Sequence, residues 1–408
     1  MFDSDQKLRH LPFFEEAAGL EADSAEGRAA TAGLVTLRLV DTWLEGALSF
    51  KEDQWSVPHV RKAIMAMDDG STPRSMLLRV VDALRARKPD IHAVVPPLMA
   101  YAQALEYDAK WLLAADAYQT LLAHLHPIED SEASISAHIR LAVCYRTLHR
   151  LDQATAAYAA AAEIGTAVND LVGILRARIG EASLARLRGD LPNAEVILDD
   201  AIARAKGADL REVRARALNE RSGVAILSGQ YELGIRLAYD ALGQTHSEIE
   251  RDRILNNIAA AFVNLGVYTA ARDAYLILSA TAQEQYMRWT ATINLLDVAS
   301  LTGSQVLFEQ YRRELAGAAI GPHLETGLEI ALGVGQHRFG EDESARQHLQ
   351  WAVLLAEKHS LNQFLIEAET ALAELGTPPP PLRSPVVSLD VEEVAMAIRA
   401  LRESAGVT

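Results

Sequence analysis

Along most of the chain, apolar residues recur with helical spacing in runs separated by short breaks that often contain glycine. The run LHRLDQATAAYAAAAEI, residues 148–164, has almost no bulky side chain in its second half, so it cannot build a core alone. It recurs as LRGDLPNAEVILDDAIA (187–203), LSGQYELGIRLAYDALG (227–243) and NLGVYTAARDAYLILSA (264–280). Each copy shows a break, a bulky residue, and a small residue three places later. An aromatic residue or leucine usually follows four further on, and a small or aliphatic residue three beyond that.

The small residue falls at Ala114, Ala154, Ala194, Gly234 and Ala271, in steps of 40, 40, 40 and 37; weaker copies place Leu307 and Ala345 there. Self-similarity at this period marks stacked supersecondary units. A second helical pattern precedes each break, as in IRLAVCYRTL and LNNIAAAFVNL, so each unit reads as helix, turn, helix, with no strand-like alternation. Two helices approach closely only where side chains are small, and a stacked array imposes that contact once per repeat. Ala154, Ala157 and Ala161 supply it in the opening run. Leucine at one of them would overpack the contact by about 1–3 kcal/mol.

These units resemble the tetratricopeptide repeat. The residues that carry the likeness are Leu141, Ala142, Tyr145, Ala154, Tyr158 and Ala161, echoed by Ile258, Ala259, Phe262, Gly266, Tyr268, Ala271 and Tyr275. It spans residues 96–375. The period exceeds the usual repeat of about 34, as in the long-repeat branch that includes kinesin light chains and bacterial peptide-pheromone receptors. The copy around 288–316 is degenerate. The resemblance implies an all-α, right-handed helix-turn-helix solenoid whose concave surface is lined by the first helix of each repeat.

In such arrays the exposed stripe lies 18, 15, 14 and 11 residues before the small residue, an i, i+3, i+4, i+7 set on one helix face. Those offsets select Arg140, Arg176, Arg216 and Arg253, the asparagines Asn219 and Asn256 with Asn257 beside them, and the small residues Ser183, Gly223 and Ala260. Arginine forks bind carboxylates, and asparagine can pair with a peptide backbone through donor and acceptor. The stripe is therefore expected to hold a protein or peptide segment, acidic or simply extended. The competing reading is a solvated face, with Arg216 paired to Glu212 and Glu220 four residues to either side.

Residues 1–95 contain amphipathic candidates, TAGLVTLRLVDTWLEGAL and TPRSMLLRVVDALRARK, without a clear repeat. They read either as a cap of degenerate repeats or as a separate helical effector region. A proline-rich linker is expected over 376–388, then an amphipathic helix over 389–405 with Val391, Val394, Ile398 and Leu401 on one face. An isolated helix of that length is marginal in water. It needs a surface: its own array, a second copy in a homo-oligomer, or a partner.

Composition narrows the function. The 408 residues are 50% apolar and 23% charged, which fits a folded chain, and the formal charge of −16 makes duplex nucleic acid and anionic membrane poor partners. No signal peptide or membrane span is evident. The lone cysteine, Cys144, sits among small apolar residues and fits a reducing cytoplasm. HLHPIED brings His124, His126, Glu129 and Asp130 together only loosely, in a loop where polar residues belong, and no recognised metal, cofactor or nucleophile motif occurs. No cofactor and no enzymatic activity are expected. The expectation is a non-catalytic peptide- or protein-binding scaffold. A peptide-sensing regulator with an N-terminal effector region is the alternative, as is a self-assembling subunit whose tail helix docks in cis or in trans.

Overall fold

The computed structural model describes residues 9–44, 50–84, 90–108, 110–318, 320–359, 361–378 and 387–407. Most of the expected linker, residues 379–386, lies outside the described residues. Among those described, every regular element is a helix, and the chain divides into two compact units, Met1–Asp190 and Leu191–Thr408.

The first unit holds α1 (Leu11–Gly19), α2 (Ala25–Leu44), α3 (Phe50–Met65), α4 (Thr72–Leu84), α5 (Ile91–Tyr107), α6 (Trp111–His124), α7 (Ser131–Thr147), α8 (Leu151–Val168) and α9 (Leu171–Leu187). Each of α4 to α8 packs on the next helix in sequence, while α1 and α2 also reach α6. Gly33 of α2 lets α1 in: an added methyl there would overlap the Phe13 ring and the Tyr101 hydroxyl. A polar knot backs this contact. His10 Nδ1 lies 3.1 Å from Asp116 and its Nε2 3.2 Å from Asp41, whose other oxygen meets His124 Nε2 at 2.9 Å.

The second unit holds α10 (Leu191–Gly207), α11 (Arg211–Leu227), α12 (Tyr231–Leu242), α13 (Glu248–Leu265), α14 (Tyr268–Thr281), α15 (Gln285–Leu301), α16 (Gln305–Leu315), α17 (Pro322–Arg338), α18 (Asp342–Lys358), α19 (Asn362–Glu374) and α20 (Leu389–Ser404). Successive helices pair from α10 to α16 and from α17 to α19, and α15 also packs on α17. One turn is reused within the repeats. Gly229, Gly266, Gly303 and Gly340 take φ between 70° and 81°, where a Cβ would be strained. The next N–H reaches back five residues, as from Gln230 to Ala225 (2.8 Å) and Val267 to Phe262 (2.9 Å). A repeated turn gives a repeated angle between helices.

The small residues Ala114, Ala154, Ala194, Ala271 and Ala345 are fully buried, each at the fourth position of its helix. In α16 the register differs from the expectation of Leu307: the fourth position is Phe308, buried, while Leu307 is only partly covered. Bulk has changed sides there. Gly335 of α17 leaves room for the ring, since a Cβ at Gly335 would overlap it, and Phe308 stacks edge-on against Phe339 with centroids 5.3 Å apart.

The tail helix α20 lies on α12 and α14 of its own chain, with Val391, Val394 and Ile398 buried and Leu401 packed beside them. Arg402 Nη1 donates to Asp273 at 2.8 Å, and the Ser388 N–H donates to Glu232 at 3.1 Å.

Candidate binding surface

In the second unit the first helices of successive repeats touch one another, α11 on α13, α13 on α15, α15 on α17 and α17 on α19. Their partners α12, α14, α16 and α18 have no comparable mutual contact, so the layers curve with the first helices inside. The first unit repeats the arrangement with α5, α7 and α9.

The expected stripe residues fare differently. Arg140 Nη1 donates to Glu106 at 3.3 Å, and Glu106 also accepts from the Tyr118 hydroxyl, so this arginine is used within the first unit. Arg176 is half-buried and already engaged. Ser183, expected as an open small position, is instead buried and donates to the Ile179 carbonyl at 3.1 Å. Its hydroxyl turns back on its own helix, so the position is not an open surface.

The second unit keeps more of the pattern available. Arg216 is half-buried and has no hydrogen-bond or ion-pair partner among the described residues. Glu212, four residues before it, already accepts from the Thr245 hydroxyl and the His246 N–H, both at 2.7 Å. The His246 N–H is the main cause holding the Glu212 carboxyl below its usual range. Glu220 is engaged as well. Asn219 is buried: its Nδ2 donates to Glu250 at 3.2 Å and its Oδ1 accepts from Asn257 at 2.7 Å. Arg253 is exposed and only 3.9 Å from Glu250, a pair worth under about 1 kcal/mol in water. Asn256 has a buried Oδ1 without a partner among the described residues. Gly223 has nothing within 4 Å of where a Cβ would stand.

Beyond these lies a cleft of about 340 Å³ lined from α15, α17 and α19. Counting the same offsets back from Phe308 and Ala345 gives Thr290, Ile293, Asn294 and Asp297, then Gly327, Ile330, Ala331 and Val334; all of them line it. The cleft therefore continues the inner stripe. Its apolar part is Ile293, Leu324, Ile330 and Val334, and its aromatic rim is Tyr286, His323 and Phe364. His323 meets Phe364 edge-on at 4.8 Å between centroids and lies 3.4 Å from the Tyr286 hydroxyl. Arg338 Nη1 donates to Asp297 at 2.7 Å and to Ser300 Oγ at 2.6 Å. Glu367 has no hydrogen-bond or ion-pair partner among the described residues, and loss of water, then the charge of Asp297, raise its carboxyl above the usual range.

Elsewhere, burial pushes the Cys144 thiol well above its ordinary value, which suits packing rather than reactivity. Of the HLHPIED residues, His124 belongs to the Asp41 knot, while the His126 N–H donates to Asp130 at 2.8 Å. No group of three or more side chains suited to a metal occurs among the described residues. Nor is any helix among them long and apolar enough to cross a membrane.

Antiparallel helix pairs with small-residue contacts and a curved inner layer of first helices define a tetratricopeptide-like helical-repeat scaffold, and the chain has that fold. No protein-family model and no curated protein matches the sequence. Among solved structures, the chain is similar to a Rap protein complexed with competence and sporulation factor (TM-score 0.51, 13% identity, covering 86% of this chain and 100% of that one). It also matches a tetratricopeptide repeat protein from Parabacteroides merdae (TM-score 0.44, 14% identity, 67% of this chain and 98% of that one). A third match is PilF of Pseudomonas aeruginosa (TM-score 0.40, 18% identity, 60% and 98%). At these identities the likeness is one of fold.

Proposed function

We propose that the second unit is a binding scaffold that receives an extended segment of a partner protein or peptide along the inner faces of α11, α13, α15 and α17, and performs no chemistry on it. The observation that carries this reading is the set of unspent polar groups on that face. Among the described residues, Arg216 is half-buried without a partner, and Asn256 keeps a buried acceptor unbonded. A buried acceptor left unsatisfied costs on the order of 1–3 kcal/mol, which a bound backbone N–H would offset. Gly223, where no side chain fills the space, gives a ligand backbone room to approach. That a Rap protein of similar fold was solved with competence and sporulation factor agrees with a scaffold that takes a second molecule. The tail helix lying on α12 and α14 of its own chain supports docking in cis over assembly through the tail.

The test uses photo-crosslinking residues at positions 223, 260 and 294 on the inner face and at position 240 on α12, introduced one at a time into the full chain. A segment captured at the inner positions is then synthesised and titrated by calorimetry against wild type, Arg216→Ala and Asn256→Ala. A charge-assisted bond largely shielded from water is worth about 1.5–3 kcal/mol, so Arg216→Ala should weaken binding roughly ten- to a hundredfold. Added salt should weaken wild type more than this variant. Asn256→Ala should weaken binding with little change in salt dependence. Capture confined to position 240, or affinity unmoved by either substitution, overturns the reading.

A further inference from the structure

The polar part of the inner stripe and the cleft differ in sign and character. Around α11 and α13 the unspent charge is cationic, at Arg216. In the cleft the charged groups are Asp297, Glu367 and Arg338, and Arg338 is already committed to Asp297 and Ser300. Glu367 is left with no partner among the described residues, beside apolar and aromatic walls. An anionic ligand would add a third negative charge to this space. A purely apolar one would strip water from a carboxylate that nothing else satisfies, which is costly. A long side chain ending in a cation meets both conditions. Its methylene stem can lie on Ile293, Ala331 and Phe364 while its head reaches Glu367 and faces the aromatic rim, where cations are attracted to ring faces.

We infer that the cleft formed by α15, α17 and α19 is the pocket for a lysine or arginine side chain of the bound segment, so that the segment is read with its basic residue at the α17 end and its acidic group at the α11 end. This inference rests on the proposed binding along the inner face. Neighbouring packed helices stand about 8–10 Å apart, and α17 lies three such steps from α11, so Arg216 and the cleft are separated by roughly 24–30 Å. An extended chain covers that distance in about seven to nine residues at roughly 3.3 Å each. The spacing of the two charges is therefore part of the recognition, and a segment carrying both charges side by side is excluded from using both sites.

The direct probe is a library of N-acetylated, C-amidated dodecapeptides in which one fixed glutamate is paired with lysine, arginine, norleucine or glutamate at every separation from one to ten. Retention on full-length wild type should peak for lysine and arginine at separations of about seven to nine. Glu367→Gln removes one charge from an exposed side chain without a partner, so its folding should be unaffected. It should weaken a retained lysine peptide five- to tenfold and leave the norleucine counterpart within twofold. Phe364→Leu should reduce the preference for basic residues while retaining apolar binding. Retention of peptides with no preference for a basic residue, or equal loss of lysine and norleucine peptides in Glu367→Gln, overturns this inference and leaves the binding reading standing. No retention of any peptide overturns both.

Discussion

Gly223→Ala separates what the fold needs from what a ligand needs. Gly223 sits within α11, where a glycine is disfavoured relative to alanine by about 1 kcal/mol, because more backbone freedom is lost on ordering it. A tightly packed glycine repays that cost by letting another group come close, as Gly335 does for Phe308. Gly223 has no such neighbour: nothing stands within 4 Å of an added Cβ. The methyl therefore enters open space, and the substitution should stabilise the second unit by about 0.5–1 kcal/mol. Denaturant unfolding followed by circular dichroism should show a higher midpoint with an unchanged slope, and amide exchange along 211–227 should slow. If a ligand backbone passes over this position, the same methyl holds it away and affinity for a captured segment should fall about tenfold. A loss of stability would show that the space is not open. A gain of stability with unaltered affinity would show that the segment does not approach α11 at residue 223.

Gly335→Ala should do the opposite, since the added methyl overlaps a buried ring; overpacking of about 1–3 kcal/mol exceeds the helix gain, and Phe308→Leu in the same chain should recover most of the loss in a double-mutant denaturation cycle. His10 supplies a pH dependence. Burial lowers it, but hydrogen bonds and charge from Asp116 and Asp41 win and raise it from 6.5 to about 9. That rise corresponds to roughly 3 kcal/mol, shared with Asp41 rather than added to it. The folded value lies above the unfolded one, so the contribution is full below pH 6.5 and disappears as pH rises through 9. Exchange of the α1 amides should therefore accelerate beyond the intrinsic rate between pH 7 and 10 in wild type but not in His10→Gln. Ile398→Asp places a charge at a fully buried contact and should release α20, raising exchange across 389–404; unchanged protection there would refute the docking.

The repeat was legible because one geometric demand, a small side chain where two helices nearly touch, returns at a nearly constant interval. Legibility failed where that demand was met from elsewhere in the chain. At Phe308 the bulk sits on α16 and the compensating absence of a side chain is at Gly335, 27 positions later on another helix. Taking Leu307 as the small position hid the register of the α15–α16 repeat, and with it the α15 wall of the cleft, although the offsets counted from Phe308 find that wall. Arg140 and Ser183 show a second limit. Spacing marks a helix face, but the partner on the neighbouring helix decides whether that face is open; Glu106, which takes Arg140, lies 34 residues away. Amphipathic spacing likewise gave the apolar face of α20 but carried no information about α12 and α14. The His10 knot draws on residues 10, 41, 116 and 124, and no local pattern links them.

The docking of α20 also changes how the chain can come apart. A linear stack held only by neighbour contacts can fray from its free end, one repeat at a time. Here the end is pinned: α20 follows α19 in sequence but rests on α12 and α14, so α15 to α19 lie inside a loop closed without any covalent link. While the closure holds, roughly a hundred unravelled residues would still have both ends fixed, which removes on the order of 4 kcal/mol of the chain entropy that favours their opening. The helices that line the cleft should thus open only after the tail has let go.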